Sequence, residues 1–197
     1  MIAARKSKKS MNQNNPNKNQ DITLLLKKVQ SGDSSLTDKL VSLVYQDLKL
    51  IASRQRKKIL SNTINTTGLV HEAWMKIQNK GMNFNDRNHF MAVATLAMRH
   101  LLLNEAKKKQ QLKRKHEGGV QYSSQLHGQT KGYDWLIDLD KALVKLREFN
   151  IRLEQVFQMI FFAGFTEKEV ADYLQINERT VRRDWVKAKM MLSVKLN

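Results

Sequence analysis

Residues 165–192 read FTEKEVADYLQINERTVRRDWVKAKMML, and their spacing decides the fold of the C-terminal part. Thr166 and Glu169 stand in capping-box spacing, where hydroxyl and carboxylate each satisfy a backbone amide left open at a helix start. Val170, Ala171 and Leu174 then share the inner face of a short helix, and small Ala171 lets a second helix approach closely. The turn Gln175-Ile176-Asn177 buries Ile176, while Asn177 caps the helix that follows. On that second helix Val181, Trp185, Ala188 and Leu192 fall on one side. Arg179 and Arg183 point the opposite way, with Thr180, Arg182 and Lys187 beside them.

That is the pattern of a helix-turn-helix. An apolar stripe backed by guanidinium groups at a helix start suits the DNA major groove, where Arg bonds guanine bidentately and Thr or Lys holds phosphate. Gln175 departs from the usual pattern, because this turn commonly takes Gly in a left-handed conformation. A strain of about 1 kcal/mol is expected if that geometry is kept. The plainer alternative is a solvated surface helix whose charges read nothing.

Moving outward, residues 117–132 read EGGVQYSSQLHGQTKG and show no helical period. Gly118, Gly119, Gly128 and Gly132 gather there, half of the 8 glycines in the chain, so residues 117–133 are expected to form a flexible linker. After it, Leu136, Leu139, Leu143, Leu146, Val156, Phe157, Ile160 and Phe161 resume a helical period, making residues 134–197 one small unit.

Before the linker lies a second helical unit, residues 21–116. Asp21 is the expected cap of a short helix carrying Leu25, Leu26 and Val29 and stopped near Gly32. Ser35 and Asp38 take capping-box spacing ahead of Leu36, Leu40, Val44, Leu48 and Ile51, one face of a long helix. A third helix starts at Thr67, with Leu69, Val70, Ala73, Trp74 and Ile77 inward, and a fourth starts near Asp86 and meets no Gly or Pro until Gly118. Along the fourth, Phe90, Val93, Ala94, Ala97, Met98 and Leu101 fill one broad half. Opposite stand Asn88, Thr95, Arg99 and Lys107, and the helix runs on into KKKQQLKRK. A small, polar face ending in a basic run suits a nucleic-acid backbone. Residues 1–20 hold Arg5, Lys6, Lys8, Lys9 and Lys18 and an NQNNPNKNQ tract, and read as a disordered basic tail.

Composition agrees. The 197 residues carry 35 Lys plus Arg against 18 Asp plus Glu, a formal charge of +17 that favours a polyanionic partner. With 1 Pro and 8 Gly the chain favours long helices, and with 0 Cys it has no disulfide, thiolate metal site or cysteine nucleophile. No apolar run approaches the length of a membrane span, and the start MIAARKSKKS lacks the apolar core of a signal peptide, so a cytoplasmic address and no membrane partner are expected. The 5 histidines show no HExxH spacing and there is no GxxxxGK loop, which argues against an enzyme. The fold expected is all-α: two small helical domains on a flexible linker, the second containing the helix-turn-helix.

Four blocks, in order, resemble one known family. They are GDSSLTDKLVSLVYQDLKLIASR, TTGLVHEAWMKIQNK, FNDRNHFMAVATLAMRHLLLNEAKKK and FTEKEVADYLQINERTVRRDWVKAKMML. Together they look like a bacterial sigma factor of the compact two-domain, extracytoplasmic-function-like (ECF-like) type in the sigma-70 family.

The resemblance implies a protein that joins core RNA polymerase, directs it to promoters and helps open the duplex. Residues 21–116 would be the region 2-like domain, and residues 134–197 the region 4-like domain. His71, Glu72, Met75 and Gln78 would dock on the coiled coil of the polymerase's largest subunit. Asn88, Thr95, Arg99, Lys107 and Lys108 would read the minus-ten element and hold the melted strand. Asn83, Phe84 and Asn85 would accommodate a flipped base, with a core position for Phe84 as the alternative. Arg179, Thr180, Arg182, Arg183 and Lys187 would read the minus-thirty-five element. The implied partners are core polymerase (its largest-subunit coiled coil and its flap), promoter DNA and an anti-sigma factor; no cofactor and no metal are implied. The departures are lysines at 107–109 where many relatives carry arginines, and Asn104-Glu105 ahead of the basic run. A helix-turn-helix regulator that never joins the polymerase explains residues 134–197 but leaves the Leu69–Lys80 block unused. A nonspecific nucleoid or RNA-binding protein would need only the charge.

Overall fold

Helix starts and stops along the chain follow the capping chemistry of its sequence. The structure is a computed structural model that describes residues 16–59, 64–79, 83–116 and 124–196. Helix α1 spans Pro16–Gln30 and begins ahead of the expected Asp21 cap, with a proline tolerated in the first turn. It ends where Gly32 takes φ +106°, a conformation that suits a residue without Cβ. A 3-10 turn, Ser34–Leu36, leads into α2, Thr37–Ile59. There the Ser35 hydroxyl donates back to the Asp33 carboxylate rather than forming the expected box with Asp38.

Helices α3 (Thr66–Asn79) and α4 (Arg87–His116) complete the N-terminal bundle. The Asp86 carboxylate accepts from the His89 amide at 2.8 Å, capping α4. Leu40, Val44, Leu48 and Ile51 of α2 pack with Leu69, Val70, Ala73 and Ile77 of α3 and Phe90, Ala94 and Met98 of α4 in one core. Asp47 also faces inward and binds Arg87 at 2.7 Å, both side chains almost wholly buried.

The C-terminal module consists of α5 (Ser124–Phe149), α6 (Ile151–Gln158), a π-helical turn (Met159–Ala163), α7 (Glu167–Leu174) and α8 (Glu178–Leu196). Asn150 caps α6 by accepting from the Arg152 and Leu153 amides. The π turn inserts one extra residue into the spiral, so Phe162 and Ala163 turn inward while Ile160 and Phe161 stay half-buried. Gly164 closes the turn at φ +77°, and the Phe165 amide reaches back to the Met159 carbonyl at 3.1 Å.

Among the described residues there is no strand, so the fold is all-α. The linker expectation fares differently in its two parts. Residues 117–123 lie outside the described residues, as do residues 1–15 of the expected tail. Residues 124–133 instead belong to α5. Gly132 is buried against the end of α2: a Cβ added there would stand 1.9 Å from the Ile59 carbonyl oxygen. One apolar cluster runs from Ile22 and Leu40 through Tyr133, Leu136, Val156 and Ala163 to Val170 and Val181, uniting the two modules. A second cluster, Leu139, Leu143, Leu146, Leu153, Phe157, Phe162, Ala188 and Leu192, belongs to the C-terminal module alone.

Candidate nucleic-acid and polymerase-binding surfaces

The α7–α8 pair has the local geometry its sequence dictates. Thr166 and Glu169 form the full capping box, with the Glu169 amide donating to the Thr166 hydroxyl at 3.2 Å and the Thr166 amide donating to the Glu169 carboxylate at 2.8 Å. Gln175 takes φ 53° and ψ 46°, the left-handed turn between the helices. The Asn177 side chain accepts from the Arg179 amide at 2.8 Å and so caps α8. Val181, Ala188 and Leu192 are buried and Trp185 half-buried, as expected of the inner stripe. Asp184, unremarked in the sequence, is also buried and receives the Arg152 guanidinium at 2.6 Å, pinning α8 to α6.

On the outer side Arg179, Arg183 and Lys187 are exposed and Thr180 is half-buried. Lys187 reaches to within 5.4 Å of the Phe149 ring centroid. Arg182 is exposed too, but its guanidinium binds the Glu167 carboxylate at 2.8 Å. That hydrogen bond, with the Glu167 charge, raises the pKa of Arg182. Arg182 thus ties α8 to the first turn of α7.

On α3, His71, Glu72, Met75 and Gln78 all lie on the exposed face, opposite Leu69, Val70, Ala73 and Ile77. Met75 stands 45% exposed, an apolar side chain amid polar ones.

The third group is divided. Asn83 and Asn85 are exposed, Asn88 is half-buried, and Lys107 and Lys108 are exposed on the distal part of α4. Phe84 is a core aromatic: it packs edge-on against Phe90 at 5.2 Å between centroids and against His89 at 5.8 Å. Its carbonyl accepts from the Gln30 amide group at 3.1 Å. Thr95 and Arg99, expected on an open face, are 2% and 6% exposed. The Thr95 hydroxyl donates to the Met91 carbonyl at 2.7 Å, and its own carbonyl accepts from Gln55 at 3.0 Å. The Arg99 guanidinium meets the Asp140 carboxylate of α5 at 3.1 Å and lies 5.6 Å from the Phe162 ring centroid. Burial lowers the pKa of Arg99, offset in part by the charges of Asp140 and Glu154. Burial likewise raises the pKa of Glu154, whose carboxylate accepts from Gln158.

Further contacts cross from α2 to the π turn. The Arg54 guanidinium donates to the Ala163 carbonyl at 3.1 Å and lies where a Cβ on Gly164 would sit, 2.0 Å away. Lys58 donates to the Phe161 carbonyl and stands 3.3 Å above the Phe161 ring centroid. Desolvation of that ammonium, with the Arg54 charge adding to it, pushes its pKa down to about 8. Sequence reading gave Arg54 and Asp140 no role. Nothing local marks either residue, since each acts on an element distant in the chain.

Among the described residues, a capped helix pair with an outward basic row on its second helix, in a chain of net charge +17, suits a polyanionic partner such as nucleic acid. The family model described as ECF sigma factor matches residues 19–197, and the chain belongs to that family. It is a family of transcription-initiation factors that work with RNA polymerase and promoter DNA and are not enzymes. No curated protein and no solved structure matches the chain. Among the described residues, no helix is long and apolar enough to cross a membrane.

Proposed function

We infer that this chain joins core RNA polymerase through the exposed face of α3 and gives the enzyme its promoter choice through α8 and α4. His71, Glu72, Met75 and Gln78 dock on the polymerase; Arg179, Thr180, Arg183 and Lys187 read the upstream element from the major groove. Asn83, Asn85, Asn88, Lys107 and Lys108, which are exposed or half-buried, meet the downstream element and its opened strand. Arg182 serves chiefly to hold α7 and α8 in register.

The observation that carries this reading is the coexistence, on one chain of this family, of an outward basic row on α8 and an exposed polar face with a central Met75 on α3. A regulator working apart from the polymerase would need the first alone. The test is transcription in vitro with core enzyme on genomic fragments, with and without this protein, followed by mapping of start sites. Glu72→Lys is expected to weaken capture of core enzyme while the helical circular-dichroism signal stays unchanged. Undiminished capture would take Glu72 out of the interface. Failure of the unaltered chain to bind core would favour the independent helix-turn-helix regulator.

A further inference from the structure

A cavity of about 210 Å³ lies between α4 and α6, with Tyr173 of α7 on its wall. Cavities of roughly 150 Å³ already take up a benzene-sized guest, so this one has room for a small metabolite. Two of the polar side chains that line it are deeply buried and only partly satisfied. Arg99, 6% exposed, has no acceptor at Nε, and Gln158, 9% exposed, has no donor at Oε1. Each such atom costs free energy that a guest of matching chemistry would recover.

We propose that this cavity is a binding site for a small zwitterion of the α-amino-acid class. The carboxylate of the ligand lies on the Nε edge of Arg99, its ammonium between Gln158 and Glu154, and its apolar side chain against Leu96, Ile151 and Met159.

The class follows from what the cavity offers. One unmet donor and one unmet acceptor share the space, and neither a plain anion nor a plain cation satisfies both. Charge favours neither of those, since Arg99 and Arg147 are balanced by Glu154 and by Asp140, the partner of Arg99. A zwitterion meets both conditions. Asp140 takes Arg99 from the Nη1 side at 3.1 Å, and the guanidinium fork has a further N–H for a second carboxylate. On the α6 wall the Glu154 carboxylate accepts from Gln158 Nε2 and keeps lone pairs for an ammonium. Burial raises the pKa of Glu154, so this acid gains from a cation brought beside it. Leu96, Ile151 and Met159 supply the apolar lining. Ile151 is 52% exposed, so that lining reaches the surface from which a ligand enters. A ligand that bridges α4 and α6 stabilises the fold by mass action.

The test uses the full-length protein with neither polymerase nor DNA present, so its result is independent of the reading of the DNA-binding faces. Thermal unfolding is followed with each of the free α-amino acids of proteins at millimolar concentration, and with inorganic phosphate. At least one apolar amino acid is expected to raise the midpoint, increasingly with concentration. The amine and the carboxylic acid that each keep only one of its charged groups should not. In protein labelled at the methionine methyls, the Met159 resonance should move on binding. Those of Met75 and Met190, which do not line the cavity, should stay. Gln158→Leu should weaken binding about tenfold or more. Ile151→Ala, at an exposed position where the fold tolerates change, should weaken it several-fold, and carries the test alone if Gln158→Leu does not fold. No shift with any amino acid, an equal shift with phosphate or with the amine, an unmoved Met159 signal, or undiminished binding in the folded variants would each overturn the proposal.

Discussion

Helices α4 and α8 carry the same kind of promise in their sequences, an apolar half backed by a polar or basic face, and the structure treats them differently. On α8, Arg179 and Arg183 stay exposed because, among the described residues, α7 packs on the inner side of that helix and nothing covers their outer side. On α4, Arg87 and Arg99 are buried, one against Asp47 of α2 and the other against Asp140 of α5. The difference lies in what the rest of the chain offers each guanidinium. A buried arginine needs an acid beside it, and α2 and α5 both supply one at an otherwise inward position. The lesson is that a polar face on a long helix is an outer face only until another helix with a matching charge arrives.

The strongest way to break this comparison is to remove an acid from behind α4. Asp47→Ala leaves Arg87 buried with no carboxylate, at a cost of about 3–5 kcal/mol by urea unfolding. A loss below about 1 kcal/mol, typical of an exposed pair, would mean that water reaches this guanidinium. Next in size is Gly132→Ala, which touches no charge at all. Its Cβ would fall 1.9 Å from the Ile59 carbonyl oxygen, a backbone atom that no rotamer change can move aside, so α5 must shift off α2. Overpacking of this kind costs about 1–3 kcal/mol. A variant as stable as the parent would show that α5 does not start against α2.

How much of this contrast was legible follows from the range of the forces involved. The capping box at Thr166, the cap at Asn177, the left-handed Gln175 and the stop at Gly32 are set by neighbours in sequence, and each appears where the sequence places it. Asp47 carried a readable signal, since it falls among Val44, Leu48 and Ile51 on the inner face of α2. The π turn carried little beyond the glycine at 164, and one inserted residue was enough to exchange Phe162 for Phe161 at the inner surface. The seam between modules was illegible. Hydrophobic period shows which side of α4 is apolar, but not that Asp140, forty-one residues on, would cover the other side (140 − 99 = 41). Glycines at 128 and 132 suggested a tether because low helix propensity was weighed without the close approach that Gly132 permits.

On the α8 side the comparison sharpens through selectivity. Arg183→Ala should leave unfolding stability within about 0.5 kcal/mol, since the side chain is exposed. It should relax base preference at one upstream position by about 1–3 kcal/mol if the arginine bonds guanine bidentately. Competition binding against single-base variants of a mapped promoter measures both the size and the position. An equal loss on every sequence would assign Arg183 to phosphate contact instead.

The smallest expected effect is a gain. Gln175 sits at φ 53°, where a side chain with Cβ is strained and glycine is at ease. Its amide also donates to the Asp172 carbonyl at 2.6 Å, a bond that helps close the α7 end. Gln175→Gly relieves the first and loses the second, and the backbone term prevails because the residue is exposed and water replaces the lost bond. A net stabilisation of about 0.5 kcal/mol is expected, visible as a slightly higher thermal midpoint. A lower midpoint would mean that the glutamine bond outweighs the strain and that this turn is built around its side chain. In either case Arg179 and Arg183 should hold their place on α8, because Asn177 fixes the start of that helix independently of residue 175.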